Sequence, residues 1–166
     1  MPPVAKSIQG IVHDAVVALL GTASTAGELG TPKPLVLGAM RTNAFQSKKW
    51  PVVLVERPQE VASESAGYEY DRKTLRMIVS CIDTMGVKGA ADLDRVRERV
   101  DLCLRRVQKV LRGSPHWGVA FLHLYSSMAR YDVRDERADF LGNNMLFIEM
   151  EVEFAVTVEV GKIWEV

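Results

Sequence analysis

The fold is decided near the carboxyl terminus, where residues 146–160 are LFIEMEVEFAVTVEV. The even-numbered positions of this stretch are all apolar: Leu146, Ile148, Met150, Val152, Phe154, Val156, Val158 and Val160. The odd-numbered positions include four acidic residues: Glu149, Glu151, Glu153 and Glu159. Side chains alternate between the two faces of a strand. The stretch therefore predicts one long strand with a dry even face and an odd face that meets solvent or a partner.

Two amphipathic helices are predicted to cover the dry face. The first spans residues 7–20, with Ser7 as N-cap and Gly21 as the stop. The second spans residues 92–112, with apolar residues at helical spacing along one side. Its aspartates lie near the start and its cations near the end, as the helix dipole favours.

The rest of the chain supplies shorter strands. We predict strands over residues 52–55, 74–83, 119–125 and 131–134, and a short one over 35–37, whereas residues 57–67 are polar and turn-like. A helix, a run of strands, a helix and more strands indicate an α+β fold. The expectation is one domain over residues 1–166, with a mainly antiparallel sheet, two helices on one face, and a long irregular loop or hairpin over 21–50.

Composition excludes several classes of protein. The chain has 166 residues, 48% of them hydrophobic and 25% charged, which is typical of a globular domain. The formal net charge is zero, so the basic excess of a dedicated DNA-binding protein is missing. The apolar run at residues 15–20 is too short to cross a bilayer. We expect a protein made in the cytoplasm, with no membrane contact.

The residues able to carry chemistry are few. Cys81 and Cys103 both fall in apolar patterns and are expected to be buried free thiols. No spacing of cysteine or histidine predicts a metal site, and no cofactor is expected. His116 and His123 are the residues that a small α+β enzyme would use, an alternative that stays open although we expect no catalysis.

Three groups of charged residues are candidates for partner contacts. The loop over 21–50 is rich in Gly and Pro and contains Lys33, Arg41, Lys48, Lys49 and Trp50. Such a segment can wrap a partner, and Trp50 either anchors that contact or caps the core beside Pro51. The second helix adds Arg105, Arg106 and Lys109, which form either a subunit interface or a solvated face with pairs such as Asp101 and Arg105. The glutamates at 149, 151 and 153 form either an acidic channel wall or a solvated face with cross-strand cationic partners.

The order of elements resembles that of the tail terminator, or tail completion, proteins of tailed bacteriophages. The resemblance spans roughly residues 7–160. It is carried by PVVL at 51–54, by IVSCI at 78–82 followed by the helix over 92–112, and by the strand ending at 154–160.

The resemblance implies a non-catalytic virion protein that forms a ring, commonly of six subunits. The ring would cap the completed tail tube and join it to the head–tail connector, with DNA passing through the hole. The expected partners are therefore other copies of the chain, the tail tube protein and the neck protein, in a virion assembled in the host cytoplasm. Another tail, neck or tube component of a phage or contractile injection system is the alternative.

Overall fold

The computed structural model describes residues 5–39, 51–84, 93–114, 117–119, 130–138, 145–162 and 164–165. The helices are α1 (Ile8–Thr25) and α2 (Leu93–Gly113). The strands are β1 (Ala5–Lys6), β2 (Leu35–Leu37), β3 (Val52–Val55), β4 (Gln59–Ser65), β5 (Tyr70–Thr84), β6 (Arg130–Ala138), β7 (Met145–Glu159) and β8 (Trp164–Glu165). The strand predicted over 119–125 lies, apart from Val119, outside the described residues.

Within the described residues, six strands form the main sheet in the order β2-β3-β5-β7-β6, with β4 paired to β5 beside β3. β2 and β3 are parallel, and the remaining neighbours are antiparallel. β1 and β8 form a separate antiparallel pair. The two helices and the sheet face toward them share one apolar core. The predicted α+β fold, with a mainly antiparallel sheet and both helices on one face, is confirmed.

The predicted alternation of the last strand is confirmed for the even face of β7, whereas the odd face departs from it at Glu151, which is buried. The even positions from Leu146 to Val158 are buried in the core beneath the helices. The ring of Phe154 meets that of Trp117 edge to face with centroids 4.7 Å apart. Trp117 in turn donates from Nε1 to the carbonyl of Leu111 at 3.1 Å, which ties the end of α2 to the sheet. The alternation ends one position early, because Val160 lies in a turn and is exposed.

The predicted end of the first helix is wrong. Ser7 is the N-cap, as predicted, and its Oγ accepts from the amide of Gly10 at 3.2 Å. The helix continues through Gly21 to Thr25, because Ala23 and Ser24 still have a core to face and are buried. This packing outweighs the roughly 1 kcal/mol that an interior glycine costs.

The turn predicted over residues 57–67 is wrong as well, because most of it is strand β4. All seven residues of β4 are exposed, so the strand carries no hydrophobic alternation that sequence reasoning could detect. Backbone pairing with β5 holds it instead, from Gln59 opposite Arg76 to Ser65 opposite Asp71. β6 also extends beyond its predicted bounds of 131–134.

Candidate functional site

The most exposed part of the described chain is the segment over residues 59–70, which we call the arm. It comprises β4, the following turn and the first residue of β5, and every one of its residues is exposed. Its large apolar side chains project into solvent: Tyr68 is fully exposed, Val61 is 47% exposed and Tyr70 is 46% exposed. Val61 lies at one end of β4, whereas Tyr68 and Tyr70 lie together beside the turn. Tyrosine is enriched at protein interfaces, so the turn end of the arm is a candidate contact surface.

Backbone hydrogen bonds give the arm a fixed shape. The amide of Ala66 donates to the carbonyl of Tyr70 at 2.8 Å and closes the turn. Gly67 lies in that turn with φ +122°, a conformation that L side chains rarely adopt. The amide of Val160 donates to the carbonyl of Glu69, also at 2.8 Å, and links the turn to the end of β7. The arm is therefore a preorganised projection.

The outer edge of the arm is unsuited to pairing with another strand. The register of β4 against β5 shifts between Glu60 and Ala62, which indicates a bulge at Val61. Acidic side chains flank that bulge, with Glu60 before it and Glu64 after it. Bulges and charged side chains both hinder the addition of another strand at a sheet edge. What the arm offers at this edge is therefore its side chains and not its backbone.

The second exposed surface is the outer side of α2, which we call the basic helix face. The helix carries seven cations and three acidic residues over its length. Leu102 lies at the centre of the outer side and is 43% exposed. It is surrounded at i±3 and i±4 by Glu98, Arg99, Arg105 and Arg106, so an apolar centre has a largely cationic rim.

The structure brings some of the predicted interface residues together. Arg105 pairs with Asp101 at 2.8 Å, as the spacing predicted, and still projects from the basic helix face. Arg106 and Lys109 line a shallow groove between the ends of α1 and α2. Gly30, at φ +106°, lies against the guanidinium of Arg106, where a side chain would have no room.

The other predicted contacts fall elsewhere. Lys33 donates from Nζ to the carbonyl of Thr25 at 2.7 Å, which anchors the chain after α1. Arg41, Lys48, Lys49 and Trp50 lie outside the described residues, and so do His116 and His123.

The acidic row on the odd face of β7 has a cross-strand cationic partner. Arg76 of β5 lies with Nε 3.1 Å from Glu151 Oε1 and Nη2 3.2 Å from Glu153 Oε2. Glu151 is only 6% exposed, so Glu149 and Glu153 form the accessible part of the row. Burial and the charge of Glu149 raise the pKa of Glu56 at the end of β3. The channel-facing role of these glutamates remains a prediction.

A buried polar cluster joins β5 to α2. The sulfur atoms of Cys81 and Cys103 are 3.6 Å apart, both thiols are free, and burial raises the pKa of Cys81. Two residues along β5, the buried Asp83 pairs with Nε of Arg99 at 2.6 Å. Burial nevertheless raises the pKa of Asp83, more than Arg99 and the amide of Thr84 lower it. The prediction of buried free thiols is confirmed.

Two other kinds of site are absent from the described residues. No group of three His, Cys, Asp or Glu side chains there is arranged to hold a metal ion. No helix of the described chain is both long and apolar enough to cross a bilayer. His13, on α1, places Nε2 at 3.0 Å from the carbonyl oxygen of Val55, which joins the helix to the sheet.

No protein-family model matches the sequence, and no curated protein matches it with significance.

Sequence reasoning missed the arm and the centre of the basic helix face. Leu102 was detectable, because it lies outside the apolar stripe of α2 and on its charged side. Tyr68 and Tyr70 were also detectable as two aromatic residues in a segment that otherwise resembles a turn. In both cases an apolar residue occupies a position that the sequence pattern places on the surface and not in the core.

Proposed function

We propose that this chain is a structural subunit that assembles with copies of itself into a ring. The observation that carries the proposal is the arm, whose twelve consecutive residues are all exposed. At its turn end, the fully exposed Tyr68 and the half-exposed Tyr70 are two residues apart, and exposed tyrosines of this kind favour a surface that a partner covers. Assembly would cover these side chains and turn an unfavourable exposure into binding free energy.

We further propose that the ring is a tail terminator of the kind found in tailed bacteriophages. The support is the order of elements, since an N-terminal helix, the β3–β5 strand pair, the long helix α2 and the final strand β7 follow as that resemblance implies. In this role the ring caps the tail tube, meets the neck protein on its other side and lets DNA pass. Its mechanism is geometric, because one ring face copies the tube end and the other offers no surface for further tube subunits.

Negative-stain electron microscopy of the purified protein tests the proposal. We expect single closed rings with a central hole, and, after mixing with purified phage tail tubes, rings at tube ends and no further elongation. Stacked ladders of rings would instead identify a tube subunit. Rings that never bind tube ends would overturn the tail-terminator assignment and leave self-assembly intact.

A further inference from the structure

The arm and the basic helix face carry opposite charges. Residues 59–73 contain four acidic side chains, Glu60, Glu64, Glu69 and Asp71, against the two cations Arg72 and Lys73. Lys73 pairs with Glu60 at 3.1 Å and Arg72 lies opposite Glu64, so an excess of two acidic residues remains. The helix α2 has a cationic excess over the same kind of exposed surface. The chain as a whole has a formal net charge of zero. The net charge of zero is therefore the sum of an acidic excess in the arm and a cationic excess on α2.

Both patches retain charge that pairs within the chain do not neutralise. In the described part of the molecule, Arg95, Arg106 and Lys109 make no ion pair, and neither do Glu64 and Glu69. No ion pair among the described residues joins the arm to α2 either. Each patch is therefore available to a surface of the opposite sign on another molecule.

The apolar parts of the two patches also match. The arm presents Tyr68 and Tyr70, and the helix presents Leu102 within its ring of arginines. Tyrosine and arginine are enriched where interfaces bind most strongly, and a guanidinium stacks well on an aromatic ring. An aromatic tip over an exposed leucine, with acids opposite arginines, would give the contact an apolar centre and a charged rim.

We propose that the arm of one copy docks on the basic helix face of the next copy. This inference rests on the self-assembly proposed above and names the two surfaces that produce it. Because the two surfaces differ, the contact is head to tail, and each subunit uses its arm on one neighbour and its α2 on the other. Head-to-tail contacts of this kind close into rings when the rotation between subunits permits.

Two charge-reversal variants test the contact. The arm variant is Glu64→Lys with Glu69→Lys, and the helix variant is Arg105→Glu with Lys109→Glu. All four residues are exposed, so the fold should tolerate the changes, and Arg106 is left in place because it packs on Gly30. Each variant alone places like charges across every contact, and we expect its self-association to weaken by at least about 100-fold. Ala18→Glu, a charge-changing substitution at an exposed position of α1 outside both patches, is the control and should assemble as the wild type does.

Mixing the two variants gives the decisive readout. In the mixture, a lysine-bearing arm meets a glutamate-bearing helix, and an unmodified arm meets an unmodified helix. We expect rings of alternating variants, with an even number of subunits, measured by native mass spectrometry. If each variant assembles normally, or if the mixture stays unassembled, this contact is wrong. The proposed self-assembly still stands in either case, provided that the wild type forms rings. A wild type that never self-associates would overturn both.

Discussion

Strand β5 passes through two regions of the molecule that differ in almost every physical respect. From Leu75 to Asp83 it lies between β3 and β7, with Leu75, Met77, Val79 and Cys81 in the core beneath the helices. At Tyr70 it belongs to the arm, where no residue is buried. One continuous strand is thus held by apolar burial in the body and by backbone pairing in the arm. The body maintains the fold, and the arm is free to bind.

The largest expected effect comes from the same substitution placed in each region. Val152→Asp introduces a charge at a fully buried position of β7, and we expect a loss of roughly 4 kcal/mol or more in the free energy of unfolding. Val61→Asp in the exposed arm should change it by no more than about 0.5 kcal/mol. Urea denaturation measures both. Equal losses in the two variants would show that the arm is part of the cooperative core and would abolish the contrast.

A smaller effect is expected for reversal of an acidic residue in each region. Glu151→Lys places a cation beside Arg76 in a site that is almost closed to solvent, and should cost about 2–4 kcal/mol. Glu64→Lys, in the arm, lies opposite Arg72 across the strand pair and should cost less than about 1 kcal/mol. Thermal melts of the two variants compare them. An unchanged melting temperature for Glu151→Lys would mean that the ion pair between Arg76 and Glu151 does not form in solution.

The sequence predicted most of the body, apart from the end of α1 and the bounds of β6, and missed the arm, for a physical reason. Alternation along β7 and the apolar stripes of the helices arise from burial, so they predicted the strand and the shared core. Ser7 was predicted as the N-cap from its residue type at the start of the first stripe. β4 buries nothing and is held by hydrogen bonds that every residue type can make, so its sequence resembles a turn. The ion pairs of Arg76 and Arg99 needed the strand register and the position of α2, which short-range patterns do not specify.

The smallest expected effect is a dependence on pH in the body. Burial raises the pKa of Asp83 above its ordinary value of 3.8. Between that value and the raised one, the native state holds more protons than the unfolded state. The stability that Asp83 contributes is therefore complete below pH 3.8 and is lost as the pH rises through the raised pKa.

Asp83→Asn removes this titration, so it is the matched variant. The free energy of unfolding of the wild type minus that of Asp83→Asn should decline as the pH rises from 3.8 through the raised pKa, because the wild type alone loses stability at this group. Urea denaturation across that range gives the difference. A difference that stays flat, or that increases, would mean that Arg99 compensates the buried carboxylate fully.

Native mass spectrometry of the wild-type protein over a range of concentrations tests the central claim most directly. If exposed arms dock on neighbouring helices, the 18.5 kDa chain should form one closed species whose mass is a whole multiple of the chain mass, and this species should dissociate as salt is raised. Deleting the exposed aromatic side chain with Tyr68→Ser should shift the distribution toward the monomer without lowering the melting temperature of the fold. A wild type that remains an 18.5 kDa monomer at every concentration would contradict the account.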